Sequence, residues 1–496
     1  MSKFVTRLGT IAGAVALLSA CSMAPSYERP SFDIGDVWSS AGTAEKTRDI
    51  TPDYHQQELA NWWQSYNDPA LTALVEEGLQ HNDDLALAAA RVAQARAQVD
   101  FAGANRFPEL DVDGSAARVR EPYGVSNPTY PTKTTGNSFG VSGVLSYEVD
   151  LWGKLKSADH VAQAQLLSTA YNADNVRLAV ASEIAQGYFN LKALDAEIAV
   201  TENTISARQD AFDFENAQYK HGATDGLTLR QSESEVAAAR AQLPQLQQSR
   251  EEQATALAVL LGRTPKDILT GDVAAVADSG TDKDKNAEAM IDALPVPPVV
   301  PAELPSTLLE RRPDIAAAEQ SLIAANANIG VARAAYFPTI SLSALLGVSS
   351  VEMNHLFDST SRTWQLGGAL AGPVIDFGRT SANVDQAHGM YDAALASYQQ
   401  GVRTAFKDVR DALTATDTTA RQQDADAAQV QAESETLRLA NLRYTSGYSN
   451  HLEVLDAQRG LYTAQIDRID AKRARLVASL NLYKALGGGW KAPAAE

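Results

Sequence analysis

The chain has few of the residues on which most chemical sites depend. Of its 496 residues only one is a cysteine, Cys21, and five are methionines. A single cysteine cannot form a disulfide within the chain, and a soft-metal relay would lack sulfur ligands. The seven histidines are dispersed, and none has a spacing typical of a metal or catalytic site. We therefore expect no enzyme, no cofactor and no bound metal.

Long apolar runs and basic clusters are missing as well. After the N-terminus no apolar run approaches the 18 residues of a transmembrane helix, so none is predicted. The net charge is -19, and no basic cluster with interleaved aromatic residues occurs. This charge argues against a nucleic-acid partner, whereas it is compatible with an acidic, water-filled lumen.

The first 20 residues have the pattern of a secretory signal peptide. A positive flank precedes a short apolar core at residues 8–18, which is too brief to serve as a membrane anchor. The core ends at Leu18-Ser19-Ala20-Cys21, a sequence that resembles the box of bacterial lipoproteins. We therefore predict a signal peptide at 1–20 and a covalent lipid on Cys21. The lipid would attach an extended segment, residues 21–60, to a membrane.

Four stretches alternate apolar and polar residues in the way of half-exposed strands. They lie at about 108–120, 138–150, 339–350 and 363–375. About 13 alternating residues are enough to cross a bilayer as a tilted strand. Aromatic residues near both ends of the second stretch suit the girdles of an outer-membrane barrel. An amphipathic strand of a soluble sandwich is the alternative.

Long helical hairpins follow each pair of predicted strands. Between Ile184 and Tyr219 an apolar residue recurs at every seventh position, which indicates a coiled-coil seam on one long helix. A short turn then leads into a returning helix. We predict hairpins at 153–262 and 378–486.

The order of these elements is duplicated. Arg312-Pro313-Asp314-Ile315 takes the place of Asn82-Asp83-Asp84-Leu85, and later motifs follow at similar displacements. The repeat unit is α-β-β-α-α. After the segment 21–60, the predicted domains are a first repeat at 61–263, a linker at 264–305, a second repeat at 306–487 and a tail at 488–496.

Four strands per chain predict an oligomer. Two open sheet edges in lipid would leave backbone groups unpaired, at a cost of several kcal/mol each. Two copies would give eight strands with a filled interior, whereas three copies give twelve strands and a lumen. A general porin would need more strands per chain, and a purely structural coiled-coil envelope protein would not need the strands. We therefore predict a homotrimer.

Junctions and turns supply the candidate functional residues. Glycines in the turns can adopt the left-handed conformation that such turns need, and short polar turns between long helices should be exposed. The strand-to-helix junctions carry Trp152, Gly153, Phe377 and Gly378. The two hairpin turns carry Tyr219, Gly222, Ala223, Tyr444, Gly447 and Ser449.

Several of these motifs together resemble one family, the TolC-like outer-membrane efflux proteins, in the lipid-anchored branch that serves resistance-nodulation-division pumps. The motifs are Leu18-Ser19-Ala20-Cys21, Trp62-Trp63, Asp150-Leu151-Trp152-Gly153-Lys154, Arg311-Arg312-Pro313-Asp314-Ile315, Arg443-Tyr444 with Gly447, and Leu455-Asp456-Ala457-Gln458-Arg459. The resemblance implies an α+β membrane protein. Its trimer would form a twelve-stranded β-barrel in the outer membrane, continuous with an α-helical barrel in the periplasm.

The resemblance also implies a function and partners. The trimer would be the exit duct of a tripartite efflux pump for drugs or other small toxic compounds, with a periplasmic adaptor, an inner-membrane transporter and outer-membrane lipid as partners. The two hairpin turns would contact the adaptor. A duct for type I protein secretion is the alternative within the family, although the lipoprotein box and Arg312-Pro313-Asp314-Ile315 favour the pump branch. Family gate residues match Leu452, Asp456 and Arg459, which would close the periplasmic aperture.

Overall fold

The computed structural model describes residues 23–32, 61–120, 135–270, 295 and 311–488. These residues form two compact units, which cut across the two sequence repeats. Unit 1 draws on the ranges 1–31, 91–170 and 317–399, and unit 2 on 32–90, 171–316 and 400–496. The predicted signal peptide, Cys21, most of the segment 21–60 and most of the linker 264–305 lie outside the described residues, as does the tail after residue 488.

The elements follow the duplicated order that the sequence predicts. They are α1 (Pro69–His81), α2 (Asp83–Ala104), β1 (Glu109–Arg120), β2 (Thr135–Val149), α3 (Lys154–Lys220), α4 (Gly226–Leu260), α5 (Pro265–Thr270), α6 (Pro313–Ala334), β3 (Thr339–Ser350), β4 (Arg362–Ala371), α7 (Arg379–Thr445) and α8 (His451–Ala485). Strand β2 begins earlier than predicted. Strand β4 ends at Ala371 and not at residue 375, because Pro373 has no N–H for a ladder hydrogen bond. In the described part of the chain, none of the helices combines the length and apolar character needed to cross a membrane.

The four strands form one antiparallel sheet in the order β1-β2-β3-β4. Leu145 pairs with Leu110 on one side and with Ala344 on the other, and Ala344 pairs with Leu366. Because directly paired residues share a face, the register places the apolar positions of all four strands together. This face is open to the outside of the single chain, where Leu110 is 68% and Leu366 73% exposed.

Side-chain caps define the start of the first repeat in unit 2. Asp68 Oδ1 accepts hydrogen bonds from the backbone N–H groups of Ala70 and Leu71, with Pro69 at the first helical position. Asn82 lies between α1 and α2, and its Oδ1 accepts from the backbone N–H groups of Asp84 and Leu85.

Aromatic residues contribute to the core of unit 2. Trp62 is almost fully buried and stacks on Tyr483 of α8, with ring centroids 5.7 Å apart. The Tyr66 hydroxyl donates to Ser479 Oγ at 3.0 Å. These contacts hold the short 3-10 helix Trp62–Tyr66 against α8. The Trp62-Trp63 motif is therefore part of the hydrophobic core.

Equivalent residues of the two repeats bond to the ends of equivalent helices. Asn82 Nδ2 donates to the carbonyl oxygen of Leu260 at 2.8 Å, at the end of α4. Arg312 Nη1 donates to the carbonyl oxygen of Ala485 at 3.1 Å, at the end of α8. The last carbonyl groups of a helix have no partner within that helix, so both contacts satisfy groups that would otherwise be unpaired. This explains why these two motifs correspond in the sequence.

Candidate functional site

The strand-to-helix junctions of unit 1 are sharp turns. Gly153 and Gly378 have φ angles of 72° and 87°, and Phe377 has a φ of 54°. The Trp152 indole N–H donates to the carbonyl oxygen of Pro338 at 2.8 Å. Its ring stacks on Phe337 at 4.6 Å between centroids. Trp152 thus joins the end of one strand pair to the start of the other.

The two hairpin turns of unit 2 have the same local geometry. Gly222 and Gly447 have φ angles of 78° and 77°, as predicted. Tyr448 N–H bonds to the carbonyl oxygen of Arg443 at 2.9 Å, and Ala223 N–H makes the matching bond to Gln218 at 2.9 Å. These are the hydrogen bonds of a glycine C-cap.

Exposure differs among the predicted turn residues. Ala223 is exposed, and Tyr219 is 48% exposed. Ser449 and Tyr444 are partly buried in the single chain. Tyr448, which the sequence reasoning did not select, is 81% exposed.

A buried polar cluster lies next to these turns, and we call it the Glu215 cluster (Glu215, Ser232, Tyr444 and His451). Glu215 is fully buried. Its Oε1 accepts from the Tyr444 hydroxyl at 2.5 Å and lies 3.4 Å from His451 Nδ1. His451 Nε2 lies 3.1 Å from Ser232 Oγ. The four residues come from α3, α4, α7 and α8, so no local sequence pattern could reveal the cluster.

Burial shifts the acid–base behaviour of the Glu215 cluster. Desolvation lowers the pKa of His451 in spite of the attraction of Glu215 for its charged form. Burial and the hydrogen bond to Glu215 raise the pKa of Tyr444 to about 12. The cluster therefore favours a neutral imidazole and a protonated phenol.

The predicted gate residues share one face of α8. Leu452 is 43% exposed, and the Asp456 side chain is 63% exposed. Arg459 Nη1 lies 2.9 Å from Asp456 Oδ1, which is the contact that the spacing predicts. Arg459 Nη2 also lies 2.7 Å from Oε1 of Glu235 on α4. Sequence reasoning missed Glu235, because this contact joins two helices.

Glu235 has a second arginine partner. Its Oε2 lies 3.1 Å from Nη1 of Arg208 on α3, and both side chains are largely buried. The carboxylate of Glu235 thus connects α3, α4 and α8 beside the predicted gate residues. The hydrogen bond to Glu235 is the main reason why the pKa of Arg459 is raised.

Comparison with known proteins places the chain in a family. Residues 74–263 and 304–488 match the family model described as outer membrane efflux protein. The chain belongs to this family. The two matched ranges correspond to the two predicted repeats and leave out residues 264–303 of the predicted linker.

Relatives of similar length support the assignment. The chain is 35% identical to the outer membrane protein OprJ of Pseudomonas aeruginosa, over 95% of this chain and 94% of OprJ. It is 34% identical to the toluene efflux pump outer membrane protein TtgC of Pseudomonas putida, over 96% of this chain and 94% of TtgC. The crystal structure of the Campylobacter jejuni CmeC outer membrane channel is similar, with a TM-score of 0.82, 26% identity, and coverage of 95% of this chain and 96% of CmeC.

These findings confirm the TolC-like resemblance and the fold class predicted from the sequence. The protein is an α+β membrane protein with the fold of trimeric outer-membrane efflux channels, which have a β-barrel and an α-helical barrel. It is an outer-membrane component of an efflux pump and forms an exit duct. It resides in the outer membrane and extends into the periplasm.

Proposed function

We propose that three copies of the chain form the duct and that it operates with a periplasmic adaptor and an inner-membrane resistance-nodulation-division transporter. The observation that carries this proposal is the four-stranded sheet with its exposed apolar face and its two edge strands, joined in sequence to two long helical hairpins. Only pairing with further copies would satisfy the edge strands in lipid. The protein acts as a channel and not as an enzyme, and it has no cofactor apart from a lipid on Cys21.

Its substrates are drugs or other small toxic compounds of low molecular weight. The relative TtgC is named for toluene efflux, which supports this class over secreted proteins. The test is deletion of the gene followed by growth with drugs, dyes, metals and toluene. Increased sensitivity that is restored by the wild-type gene supports the proposal. Unchanged sensitivity together with loss of a secreted protein would favour a type I secretion duct instead.

The hairpin turns form the surface that contacts the adaptor. Ala223 and Tyr448 are exposed next to left-handed glycines, so both turns present side chains to a partner. A photoreactive residue at Ala223, Tyr448 or Ser449 should cross-link to an adaptor in cells, with the weakest yield from the partly buried Ser449. The matched control is His355, in the connection between β3 and β4. Cross-links to the adaptor from His355 alone would contradict the placement.

Cys21 carries a covalent lipid that holds the N-terminus at the membrane. The segment that follows is bound to α6 in unit 1. Arg29 Nε lies 2.6 Å from Glu319 Oε1, and Asn326 Nδ2 donates to the carbonyl oxygen of Pro25 at 2.8 Å. These contacts hold Pro25 and Arg29 against α6, the helix that precedes β3 in sequence.

Mass spectrometry of the mature N-terminus tests this modification. A diacyl or triacyl group on Cys21 is expected, and Cys21→Ser should loosen membrane attachment without abolishing the trimer. An unmodified Cys21, or cleavage at another position, would remove the lipid from the proposal and leave the duct unaffected.

Leu452, Asp456 and Arg459 close the duct at rest. In a trimer each of these residues occurs three times around one axis, so an exposed face of α8 can form rings of apolar and charged side chains. Arg459 offsets the mutual repulsion of the aspartates, and Glu235 holds Arg459 in place. An adaptor that redirects these contacts would open the aperture.

A further inference from the structure

Unit 2 contains a pocket of about 330 Å³ between α3 and α8. The two helices pack closely at Ala196 and Ile469, and the pocket opens further along α3, where Thr204 and Ala207 provide only small side chains. Its volume lies at the lower end of the range of about 300 to 1,000 Å³ that is typical of small-molecule sites. It is far larger than the share of about 30 Å³ that one water molecule occupies.

The polar end of this pocket is a buried arginine. The Arg208 side chain is 7% exposed, and its Nη1 contacts the carbonyl oxygen and the carboxylate of Glu235. Nε of Arg208 is buried and has no hydrogen-bond partner among the described residues. Nε and Nη2 form the edge of a guanidinium that can bind both oxygens of a carboxylate.

Glu235 compensates the charge of Arg208 only in part. Its carboxylate is shared with Arg459, whose Nη2 lies at 2.7 Å, closer than Arg208 at 3.1 Å. Burial lowers the pKa of Arg208 although Glu235 acts in the opposite direction. A buried cation of this kind gains most from a second anionic partner.

The remaining walls suit an organic molecule better than an inorganic ion. Tyr462 faces the guanidinium, with the Arg208 Cζ 5.8 Å from the ring centroid, and Leu437 and Leu461 add apolar surface. Gln458 also lines the pocket, and its Oε1 is buried without a partner within the described residues, so it can accept a hydrogen bond from a hydroxyl or amino group.

We propose that this pocket binds a small organic anion, an aromatic or short-chain carboxylate, with its carboxylate on the Nε edge of Arg208 and its apolar part against Tyr462 and Leu461. The site is distinct from the exposed gate residues on α8. It belongs to the folded hairpins themselves, so binding does not require the transporter or the adaptor.

Ligand-observed fluorine NMR of the full-length trimer in lipid nanodiscs tests the site, with 4-fluorobenzoate as the probe. Wild-type protein should show saturable binding, and Arg208→Gln should weaken it by about tenfold or more, as expected for loss of a bidentate carboxylate contact. The uncharged amide, 4-fluorobenzamide, should bind much more weakly to the wild type. The matched control is Arg230→Gln, since Arg230 is exposed and paired with Glu233 on the same helix as Glu235.

A second variant separates binding from folding. Ala207→Leu fills the pocket and leaves Arg208 and Glu235 in place, so it should abolish saturable binding in a normally assembled trimer. If Arg208→Gln assembles poorly, Ala207→Leu decides the question. Equal binding of the acid and the amide, unchanged binding in Ala207→Leu, or no saturable binding to the wild type would overturn the proposal and leave a pocket that holds only water or a side chain of a neighbouring copy.

Discussion

Glu235 of α4 lies 2.7 Å from Arg459 of α8 and holds this arginine beside the predicted gate. Asp456, the partner that helical spacing predicts, lies at a similar distance of 2.9 Å. The Asp456 side chain is 63% exposed and the Glu235 side chain only 13%. Because solvent screens exposed pairs most strongly, Glu235 should contribute more than Asp456 to the position of Arg459.

The gate proposal predicts a graded series of variants. Leu452→Ala, Arg459→Ala and Glu235→Gln should each raise the single-channel conductance in planar bilayers and the uptake of a large antibiotic that the outer membrane normally excludes. Asp456→Asn should have a smaller effect than Glu235→Gln, because Asp456 is the more exposed partner.

The matched control is Arg438→Ala, which removes an exposed arginine paired with Glu435 on α7. Wild-type conductance in Arg459→Ala and Leu452→Ala, at normal trimer levels, would falsify the gate assignment.

The Glu215 cluster predicts a loss of stability in acid. The pKa of His451 is lowered by burial from an ordinary value of about 6.5. The folded state therefore disfavours the imidazolium, and the contribution of this group to stability is complete above about pH 6.5 and is lost as the pH falls below that value. The thermal unfolding midpoint of the trimer should decrease between pH 8 and pH 5.

Two histidine variants distinguish this cluster from other acid-sensitive groups. His451→Gln should flatten the pH dependence of the unfolding midpoint, whereas His221→Gln, an exposed change at the α3–α4 turn, should leave it as in the wild type. Glu215 faces His451 and favours its charged form, so Glu215→Gln should lower the pKa of His451 further and increase the loss of stability in acid. The same pH dependence in wild type and His451→Gln would contradict this account.

Local patterns were sufficient to predict the elements, whereas the contacts between helices were not predictable. The period of two marked the strands, the heptads marked the long helices, and the duplicated order related Asn82 to Arg312. The partners of these two residues, the carbonyl groups of Leu260 and Ala485, depend on how the helices pack. The spacing of residues along a single sequence does not reveal contacts between helices that are far apart in the chain.

In the candidate site too, contacts within one helix were predictable from the sequence, whereas contacts between helices were not. Asp456 could be assigned to Arg459 because the two residues are three positions apart on one helix. Glu235 is separated from Arg459 by 224 positions and contacts it only in the folded unit. The Glu215 cluster draws on four helices for the same reason.

The helix-end contacts predict unequal effects of two equivalent substitutions. Arg312→Ala removes contacts to the Ala485 carbonyl, to Asp314 and to Asp408, and it should cost roughly 1 to 3 kcal/mol because a buried carbonyl group is left unpaired. Asn82→Ala leaves the Leu260 carbonyl unpaired and also removes the two cap hydrogen bonds from the N–H groups of Asp84 and Leu85, but it breaks no ion pair, so it should cost less than Arg312→Ala. Thermal unfolding of the purified trimer measures both. An Asn82→Ala variant that is less stable than Arg312→Ala would contradict this order and show that the cap hydrogen bonds of Asn82 outweigh the ion pairs of Arg312.

The strand-to-helix junction predicts opposite effects for two glycines near each other in sequence. Gly378 has a φ of 87°, and a Cβ there would meet no atom within 4 Å, so Gly378→Ala tests backbone conformation alone. An alanine in the left-handed region should cost about 1 to 2 kcal/mol.

Gly389 lies inside α7, and a Cβ at this position would also meet no atom within 4 Å. Gly389→Ala should therefore stabilise the helix by about 0.5 to 1 kcal/mol. Unfolding of the trimer in denaturant should therefore shift to lower concentration for Gly378→Ala and to higher concentration for Gly389→Ala. Shifts in the same direction for both variants would mean that side-chain size, and not the left-handed turn after β4, determines the effect.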